Sequence, residues 1–199
     1  MCGVLALIYP KGCFPSFGLL ERMVNRMTHR GPDSMGIKID DGVGFAHRRL
    51  AIIDIIGATQ PMVLPSKIKI TFNGEIYNFR ELRNTLIECG HSFQYDSDTE
   101  VLLHAAEQWG TDCLSRLEGM FAIVVDDPTR GIVWAARDRM GQNPLFFFDK
   151  RFFTDVERGF VSELKCILPE KNCNRSISTN GVARFLAYDF VPDSDGFFV

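Results

Sequence analysis

The sequence lacks several features that would assign it to common functional classes. None of its six cysteines stands in a Cys-X-X-Cys pair, which argues against a zinc knuckle or a thioredoxin-like redox site. Basic residues are not in excess, because 22 Lys and Arg stand against 25 Asp and Glu, a formal charge of −3. The charge therefore gives no support to a surface that binds nucleic acid or an anionic membrane.

The N-terminal residues also lack the pattern of a targeting segment. The apolar residues 1–9 have no basic residues ahead of them, and Pro10 and Gly12 interrupt them early. This excludes a signal peptide or a membrane span in that segment. The cysteines are widely and irregularly spaced in a chain large enough to form its own core, which predicts free thiols. We therefore expect a cytoplasmic protein.

What the sequence does contain predicts a folded α+β domain. Hydrophobic residues make up 46% and charged residues 24%, and 199 residues suit one domain with a small appendage. Apolar periodicity predicts strands throughout the chain and helices at residues 17–27, 79–89, 98–109 and 179–188, the third of which begins with the capping box Ser97-Asp98-Thr99-Glu100. Charged and apolar residues alternate over Ile68–Phe72, which predicts a half-exposed strand that ends at Phe72, where Gly74 lets the backbone turn. Because strands and helices do not alternate regularly, antiparallel sheets with segregated helices are favoured.

Cys2 has an unusual position for a reactive thiol. Cysteine is a small residue, which normally allows the initiator Met1 to be removed. Cys2 would then carry a free α-amine with a pKa of roughly 7.7–8.0, so that a thiol and a near-neutral base would share one residue. The alternative is that Cys2 is an incidental second residue on a buried strand.

Three further polar clusters interrupt apolar segments, and each has two interpretations. Asn73 and Gly74 could supply a side-chain amide and a backbone N–H to an oxyanion hole, or form a plain Asn-Gly turn. Arg48 and Arg49 could clamp a carboxylate, or be a solvated face. Asp98 could hold an ammonium group, or cap a helix.

Together these groups describe one kind of substrate. A thiol, an N-terminal base, an oxyanion hole, a carboxylate clamp and an ammonium clamp match an α-amino acid with a side-chain amide. His29 does not join this set, because it is expected to be structural and a Cys–His pair cannot be deduced from sequence.

Seven short motifs follow one another along residues 1–168. They are Met1-Cys2-Gly3, His29-Arg30-Gly31-Pro32-Asp33, Ala46-His47-Arg48-Arg49-Leu50-Ala51-Ile52-Ile53-Asp54, Asn73-Gly74-Glu75-Ile76-Tyr77-Asn78, Ser97-Asp98-Thr99-Glu100-Val101, Glu118-Gly119-Met120-Phe121-Ala122 and Arg137-Asp138-Arg139-Met140-Gly141-Gln142-Asn143-Pro144-Leu145. In this order and spacing they resemble the class II glutamine amidotransferase domain, particularly the N-terminal glutaminase half of the glutamine-hydrolysing asparagine synthetases. The third and fourth motifs favour that group over the hexosamine-forming and purine-forming relatives.

The resemblance implies an N-terminal-nucleophile hydrolase fold. This fold is a four-layer αββα sandwich of two antiparallel sheets, with the nucleophile at the start of a central strand. The resemblance also implies that Cys2 attacks the side-chain carboxamide of glutamine while its α-amine shuttles the proton. In the same scheme, Asn73 and the Gly74 N–H stabilise the tetrahedral oxyanion.

The resemblance also implies a substrate-binding set. Arg49 binds the α-carboxylate of glutamine, and Glu75 and Asp98 receive its α-ammonium group. Ile52, together with Asn73 and Gly74, completes the predicted substrate site. No cofactor and no metal ion is expected for this half-reaction.

The family resemblance further divides the chain into two parts. Residues 2–168 are the expected glutaminase domain, and residues 169–199 are expected to be a linker and the start of a synthetase domain. The Ser-Gly-Gly-X-Asp-Ser loop that holds ATP in the family's synthetase half does not occur here. ATP and Mg²⁺ are therefore expected only in a synthetase domain absent from this chain.

The expected partners are L-glutamine and that synthetase domain, in the same parent chain or a separate one. Neither nucleic acid nor membrane is expected, and a homodimer is left open. Two other enzymes remain as alternatives. One is the glutaminase half of a relative that amidates a sugar or another non-aspartate carboxylate, and the other is a stand-alone N-terminal-nucleophile amidohydrolase. A third alternative is a non-enzymatic glutamine-binding module, although every catalytic position is occupied.

Overall fold

The computed structural model describes residues 1–51 and 59–190. The strands in these ranges are β1 Gly3–Ile8, β2 Ser34–Asp40, β3 Val43–Arg49, β4 Met62–Val63, β5 Lys69–Ile76, β6 Gly119–Asp127, β7 Ile132–Arg137, β8 Phe146–Asp149 and β9 Arg158–Val161. The helices are α1 Phe17–Asn25, α2 Phe79–Glu88, α3 Asp98–Trp109 and α4 Thr179–Tyr188, with 3₁₀ turns at Gly110–Arg116 and Leu164–Cys166. None of the helices in the described ranges is long and apolar enough to cross a membrane.

Two antiparallel sheets form the centre of the fold. The first has the strand order β2-β3-β1-β9-β8, and the second has the order β4-β5-β6-β7. β1 is the central strand of the first sheet and pairs with β3 on one side and β9 on the other. In the second sheet β5 pairs with β6 along its whole length. The residue before β1 and the residues of β5 are therefore held by well-anchored backbone.

Three hydrophobic clusters separate four layers of structure. One cluster lies between α1 and the first sheet, a second lies between the second sheet and the α2–α3 pair, and a third lies between the two sheets. Along β1, Leu5 and Leu7 belong to the α1 cluster, whereas Val4 and Ala6 belong to the cluster between the sheets. This follows from the two-residue side-chain period of a strand. The predicted αββα arrangement is confirmed.

The start of α3 follows its sequence signal. Ser97 Oγ accepts the backbone N–H of Glu100 at 3.2 Å, which is half of the predicted capping box. The Glu100 carboxylate does not complete the box; it accepts the N–H groups of Gln94 and Tyr95 at 2.9 and 2.8 Å. These bonds fix the loop that leads into α3, and with it the position of Asp98, the first residue of the helix.

The Asn73-Gly74 pair lies inside β5, which corrects the prediction of a strand that ends at Phe72 and a backbone turn at Gly74. β5 continues to Ile76 without a turn. Glycine is required for another reason, because a Cβ atom at Gly74 would lie 2.1 Å from the carbonyl oxygen of Met120 on β6. The missing side chain thus allows two backbones to approach closely.

The prediction that β5 is half-exposed is also wrong. Lys69 is only 3% exposed, and its Nζ lies 2.6 Å from a carboxylate oxygen of Asp40 and 2.6 Å from one of Asp126. Because these ion pairs allow a lysine to be buried, the alternation of charged and apolar residues does not mark a solvent-facing side here. The two-residue strand β4 was not predicted, since two residues carry no periodicity.

We expect Gly74→Ala to destabilise the fold. The added methyl group must displace the β6 backbone, and overpacking of this kind costs about 3 kcal/mol. Urea unfolding will measure the loss. Gly18→Ala on α1 is the matched control, because its new Cβ meets nothing closer than 3.7 Å and alanine favours a helix. Equal stability of Gly74→Ala and the unmodified protein would contradict the close approach of β5 and β6.

Candidate active site

Cys2 immediately precedes β1 and lines a cleft to which both sheets contribute. Its Sγ accepts the backbone N–H of Leu50 at 3.3 Å, at the end of β3. Its backbone nitrogen donates to Asn73 Oδ1 on β5 at 2.8 Å. The thiol and the nitrogen of the same residue are therefore each held by a different sheet.

The surroundings of Cys2 keep its sulfur protonated. Burial raises the pKa of the Cys2 thiol above its ordinary value. The Leu50 hydrogen bond and the positive charges of the N-terminus and Arg49 oppose this rise, and the Asp98 carboxylate adds to it. Because the reactive form of cysteine is the thiolate, a nucleophile in this environment needs a base next to it.

Asn73 presents its side-chain amide to the cleft from the middle of β5. The residue is 2% exposed, so the orientation of its amide is set by its neighbours rather than by solvent. Oδ1 accepts from the Cys2 nitrogen, and Nδ2 donates to Asn143 Oδ1 at 2.9 Å. The alternative interpretation of Asn73 and Gly74 as a plain turn is wrong, because both residues lie within β5, and the side-chain amide of Asn73 lines the cleft.

Arg48 and Arg49 lie at the end of β3 and differ in their surroundings. Arg49 is buried and lines the cleft, whereas Arg48 is half-buried, donates to Asn25 Oδ1 and is not among the cleft residues. Adjacent residues of a strand point to opposite faces, which explains the difference. The interpretation of the pair as a solvated face is wrong for Arg49, and a guanidinium in the cleft can bind a carboxylate.

Asp98 and Glu75 place two carboxylates on the side of the cleft that the second sheet and α3 form, whereas Arg49 comes from the first sheet. Asp98 Oδ2 accepts the backbone N–H of Ile76 at 3.2 Å, which ties the start of α3 to the end of β5. Burial, aided by the charge of Glu75, raises the pKa of Asp98 to about 6 despite hydrogen bonds from the Ile76 and Thr99 backbone. The helix cap is Ser97 rather than Asp98. Asp98 therefore does not cap the helix. Its carboxylate lines the cleft, and a cation bound there would stabilise its ionised form.

Two residues that contact the site were missed by sequence reasoning as contributors to it. Arg30 Nε donates to the Cys2 carbonyl oxygen at 2.8 Å, and its Nη1 lies 3.1 Å from Glu163 Oε1. Asn143 contacts Asn73 from the loop after β7. Both stand within the quoted motifs, but single-sequence patterns give no signal that they reach across the fold.

Two further residues named in the sequence analysis, His29 and Ile52, are not among the residues that line this cleft. His29 is exposed and pairs with Glu163 at 2.9 Å, in keeping with its predicted structural role. Ile52, predicted to bind substrate, lies outside the described residues.

Among the residues that the structure describes, one group has the composition of a metal site: His91, His104 and Glu107. The Nδ1 atoms of His91 and His104 lie 3.0 Å apart, and His91 Nε2 lies 2.8 Å from Gln108 Oε1. Hydrogen bonds account for this arrangement without an ion. We therefore assign no metal to it.

The cleft thus combines a nucleophile with charges of both signs. It is lined by Met1, Cys2, Arg49, Leu50, Gln60, Phe72, Asn73, Gly74, Glu75, Asp98, Thr99, Met120 and Asn143. Its guanidinium and its two carboxylates match the carboxylate and ammonium groups of a free amino acid. The site residues that the family resemblance implies, apart from Ile52, are all brought together here.

Comparison with known proteins identifies the family. The whole chain, residues 1–199, matches the family described as the glutamine amidotransferase domain. The chain belongs to this family. It is a glutamine amidotransferase domain homologous to the glutaminase half of the asparagine synthetases, as the sequence motifs predict.

Curated relatives of this amidotransferase domain carry asparagine synthetase names. The chain is 37% identical over 187 residues to "Asparagine synthetase [glutamine-hydrolyzing] 3" of Bacillus subtilis (strain 168), covering 92% of this chain and 30% of the relative. It is 37% identical over 182 residues to "Asparagine synthetase [glutamine-hydrolyzing] 2" of Oryza sativa subsp. japonica, covering 89% and 29%. The chain therefore spans about 30% of the length of these relatives.

Solved structures show the same fold. Glutamine phosphoribosylpyrophosphate (PRPP) amidotransferase from B. subtilis, complexed with ADP and GMP, aligns with a TM-score of 0.67 at 20% identity, covering 83% of this chain and 42% of that one. A structure titled as the allosteric regulatory enzyme of purine biosynthesis aligns with a TM-score of 0.64 at 20% identity. The predicted N-terminal-nucleophile hydrolase fold of the amidotransferase domain is confirmed.

Proposed function

We propose that this amidotransferase domain hydrolyses L-glutamine to glutamate and ammonia, with Cys2 as the nucleophile. The observation that carries the proposal is the meeting of the Cys2 thiol and nitrogen, the Asn73 amide and both signs of charge in one cleft. Glutamine has a side-chain carboxamide that the Cys2 thiol can attack and the Asn73 amide can bind. Its α-carboxylate and α-ammonium groups match the charges of the cleft.

The first step requires removal of Met1. The Cys2 nitrogen, which is a peptide N–H while Met1 is attached, then becomes a free α-amine with its Asn73 contact at 2.8 Å. An α-amine with a pKa of roughly 7.7–8.0 can accept the thiol proton at neutral pH. Since burial raises the pKa of the Cys2 thiol, this internal base is what makes the sulfur nucleophilic.

The sulfur then attacks the carboxamide carbon of glutamine. A C–S bond forms, and the carbonyl oxygen becomes an oxyanion that receives hydrogen bonds from Asn73 Nδ2 and the Gly74 backbone N–H. The Cys2 ammonium returns its proton to the departing nitrogen, the C–N bond breaks and ammonia leaves. Water then attacks the thioester, aided by the same amine, and releases glutamate and the free thiol.

Three charged residues would orient the substrate. Arg49 would bind the α-carboxylate of glutamine, and Glu75 and Asp98 would bind its α-ammonium group. Substrate binding also explains why Asp98 is buried in a position that raises its pKa, because the bound cation would offset the cost of the charge.

The names of the relatives support a role for the released ammonia. Proteins of which this chain spans about 30% are called glutamine-hydrolysing asparagine synthetases. We therefore propose that the ammonia passes to an ATP-dependent synthetase domain that converts aspartate to asparagine. ATP and Mg²⁺ would belong to that partner.

A glutaminase assay tests the proposal directly. The protein, with Met1 removed, is expected to release glutamate and ammonia in equal amounts from L-glutamine. D-glutamine and glutamine blocked at its α-amine should be poor substrates, since each loses part of the charge pairing with Arg49, Glu75 and Asp98. Equal hydrolysis of the blocked compound would indicate a general amidohydrolase instead.

We expect glutamine affinity to fall in acid. Asp98 has a pKa of about 6 and must be ionised to hold an ammonium group, so the dissociation constant should rise about tenfold per pH unit below 6 and level off above it. Calorimetric titration of Cys2→Ala, which binds without turnover, measures this. Circular dichroism at each pH controls for unfolding. A dissociation constant that stays flat from pH 5 to pH 7 would contradict the role of Asp98.

A further inference from the structure

We infer that Asn143 is a positioning residue that holds the Asn73 amide in the one orientation that can stabilise the oxyanion. The inference rests on the proposed function. Asn143 Oδ1 lies 2.9 Å from Asn73 Nδ2, and each of the two side chains belongs to a residue only 2% exposed. This contact lies beside Cys2, whose nitrogen donates to the same Asn73 amide, and Asn143 reaches it from the loop between β7 and β8.

The proton count of the Asn73 amide explains why such an anchor is needed. Its Oδ1 accepts from the Cys2 nitrogen, and its Nδ2 carries two N–H bonds. Asn143 Oδ1 takes one of them, which leaves the other with a fixed direction for the oxyanion. If the Asn73 side-chain amide rotated by 180° about its Cβ–Cγ bond, its oxygen would face the oxyanion, and the interaction would become repulsive.

Asn143 is itself held by a rigid loop. The Asp138 carboxylate accepts the backbone N–H groups of Met140, Gln142 and Asn143 at 3.0–3.3 Å, and Arg137 Nε donates to the Asn143 carbonyl at 2.5 Å. An anchor fixed in this way can transmit its geometry to Asn73 without moving itself.

The other end of the Asn143 amide gives a second, independent observation. Its Nδ2 is buried and has no hydrogen-bond partner within the described ranges, 1–51 and 59–190. An unpaired buried donor destabilises the folded state, and an apolar residue of the same shape would avoid that cost. Buried groups left unpaired require an explanation, and the contact of Oδ1 with Asn73 supplies it.

A double-mutant cycle tests the inference. In the unmodified background, Asn143→Leu is expected to lower kcat for glutamine hydrolysis by about 10- to 100-fold with KM unchanged, because it removes the acceptor and leaves the charged groups in place. In the Asn73→Ala background the same change should alter kcat by less than about threefold, since Asn143 acts through Asn73. A merely structural role would give equal losses in both backgrounds.

Matched variants keep the result interpretable. Gln142→Ala changes the exposed neighbouring side chain and should retain full activity. Asn143→Ala removes the acceptor without adding bulk and repeats the cycle if the leucine variant does not fold. Alkylation of Cys2 by iodoacetamide forms no oxyanion. Its rate in both Asn143 variants should therefore equal the rate in the unmodified protein.

Three results would overturn the inference, and two of them leave the proposed function standing. Full activity of Asn143→Leu, or losses that add to those of Asn73→Ala, would overturn the positioning role while the glutaminase proposal stands. An unmodified protein that releases no ammonia from glutamine would overturn both.

Discussion

Replacing Cys2 with alanine will abolish the release of ammonia from glutamine, by at least about 10⁴-fold in kcat. The alanine variant keeps the α-amine, the Asn73 amide and the charged groups, but no atom remains to form the thioester. A coupled assay for glutamate, run with a large excess of enzyme, measures the residual rate. Calorimetry should show that Cys2→Ala still binds glutamine, because the nucleophile is not part of the charge pairing.

Cys13→Ala is the matched control for thiol chemistry. Cys13 is exposed and is not among the residues that line the cleft, so its loss should leave kcat unchanged. A protein prepared with a tag ahead of Cys2 should be as inactive as Cys2→Ala, because its Cys2 nitrogen is a peptide N–H and cannot take a proton. Full activity of the tagged protein would contradict the role of the α-amine.

Replacing Asp98 with asparagine will change activity and stability in opposite directions. The carboxylate that would pair with the substrate ammonium is lost, so kcat/KM for glutamine should fall by about 10²- to 10³-fold. Asparagine can still accept the Ile76 N–H, which Asp98 Oδ2 accepts at 3.2 Å, so the start of α3 should keep its anchor. Steady-state kinetics will separate the effect on KM from that on kcat.

The stability gain of Asp98→Asn follows from the raised pKa. The shift from 3.8 to about 6 means that the folded state holds the ionised carboxylate at a cost of about 3 kcal/mol at pH 7.5. Below pH 3.8 the group is protonated in both states, and the cost is absent. It accumulates as the pH rises from 3.8 to about 6 and is constant above that. Urea unfolding should therefore show a gain at pH 7.5 and little gain at pH 4.

Asp127→Asn is the control of opposite sign. Asp127 is also buried, and burial raises its pKa, but hydrogen bonds from Thr129 and Arg130 outweigh that effect and lower the pKa overall. Its ionised form therefore stabilises the fold, and the asparagine variant should lose stability at pH 7.5. A loss of stability in Asp98→Asn at the same pH would contradict the electrostatic account of the site.

The sequence predicted the architecture well because local signals and global fold agree. The strand after Cys2, the helix at Ser97 and Asp98, and the antiparallel pairs that follow all have the expected apolar period. The residues of the site were predicted from the seven family motifs rather than from apolar periodicity. Cys2, Arg49 and Asn73 come from three separate segments, and no pattern in one sequence shows that they meet.

The errors have physical causes that periodicity cannot express. The alternating pattern predicts that Lys69 on β5 faces solvent. Lys69 is buried instead, because it forms ion pairs with Asp40 and Asp126, which are distant in sequence. Asn73-Gly74 reads as a turn, yet the glycine is required by the carbonyl of Met120 on a neighbouring strand. The contact of Asn143 with Asn73 joins residues 70 positions apart. Each of these depends on a tertiary neighbour that only the folded chain provides.

The central claim is that Cys2, with a free α-amine, forms a glutamyl thioester. Mass spectrometry of protein quenched in acid during turnover of L-glutamine tests it most directly. The account predicts an N-terminal peptide that begins at Cys2, lacks Met1 and carries the mass of one glutamyl group, and predicts no such adduct in Cys2→Ala. Ammonia release by protein that retains Met1, or a glutamyl group attached at any other residue, would contradict it.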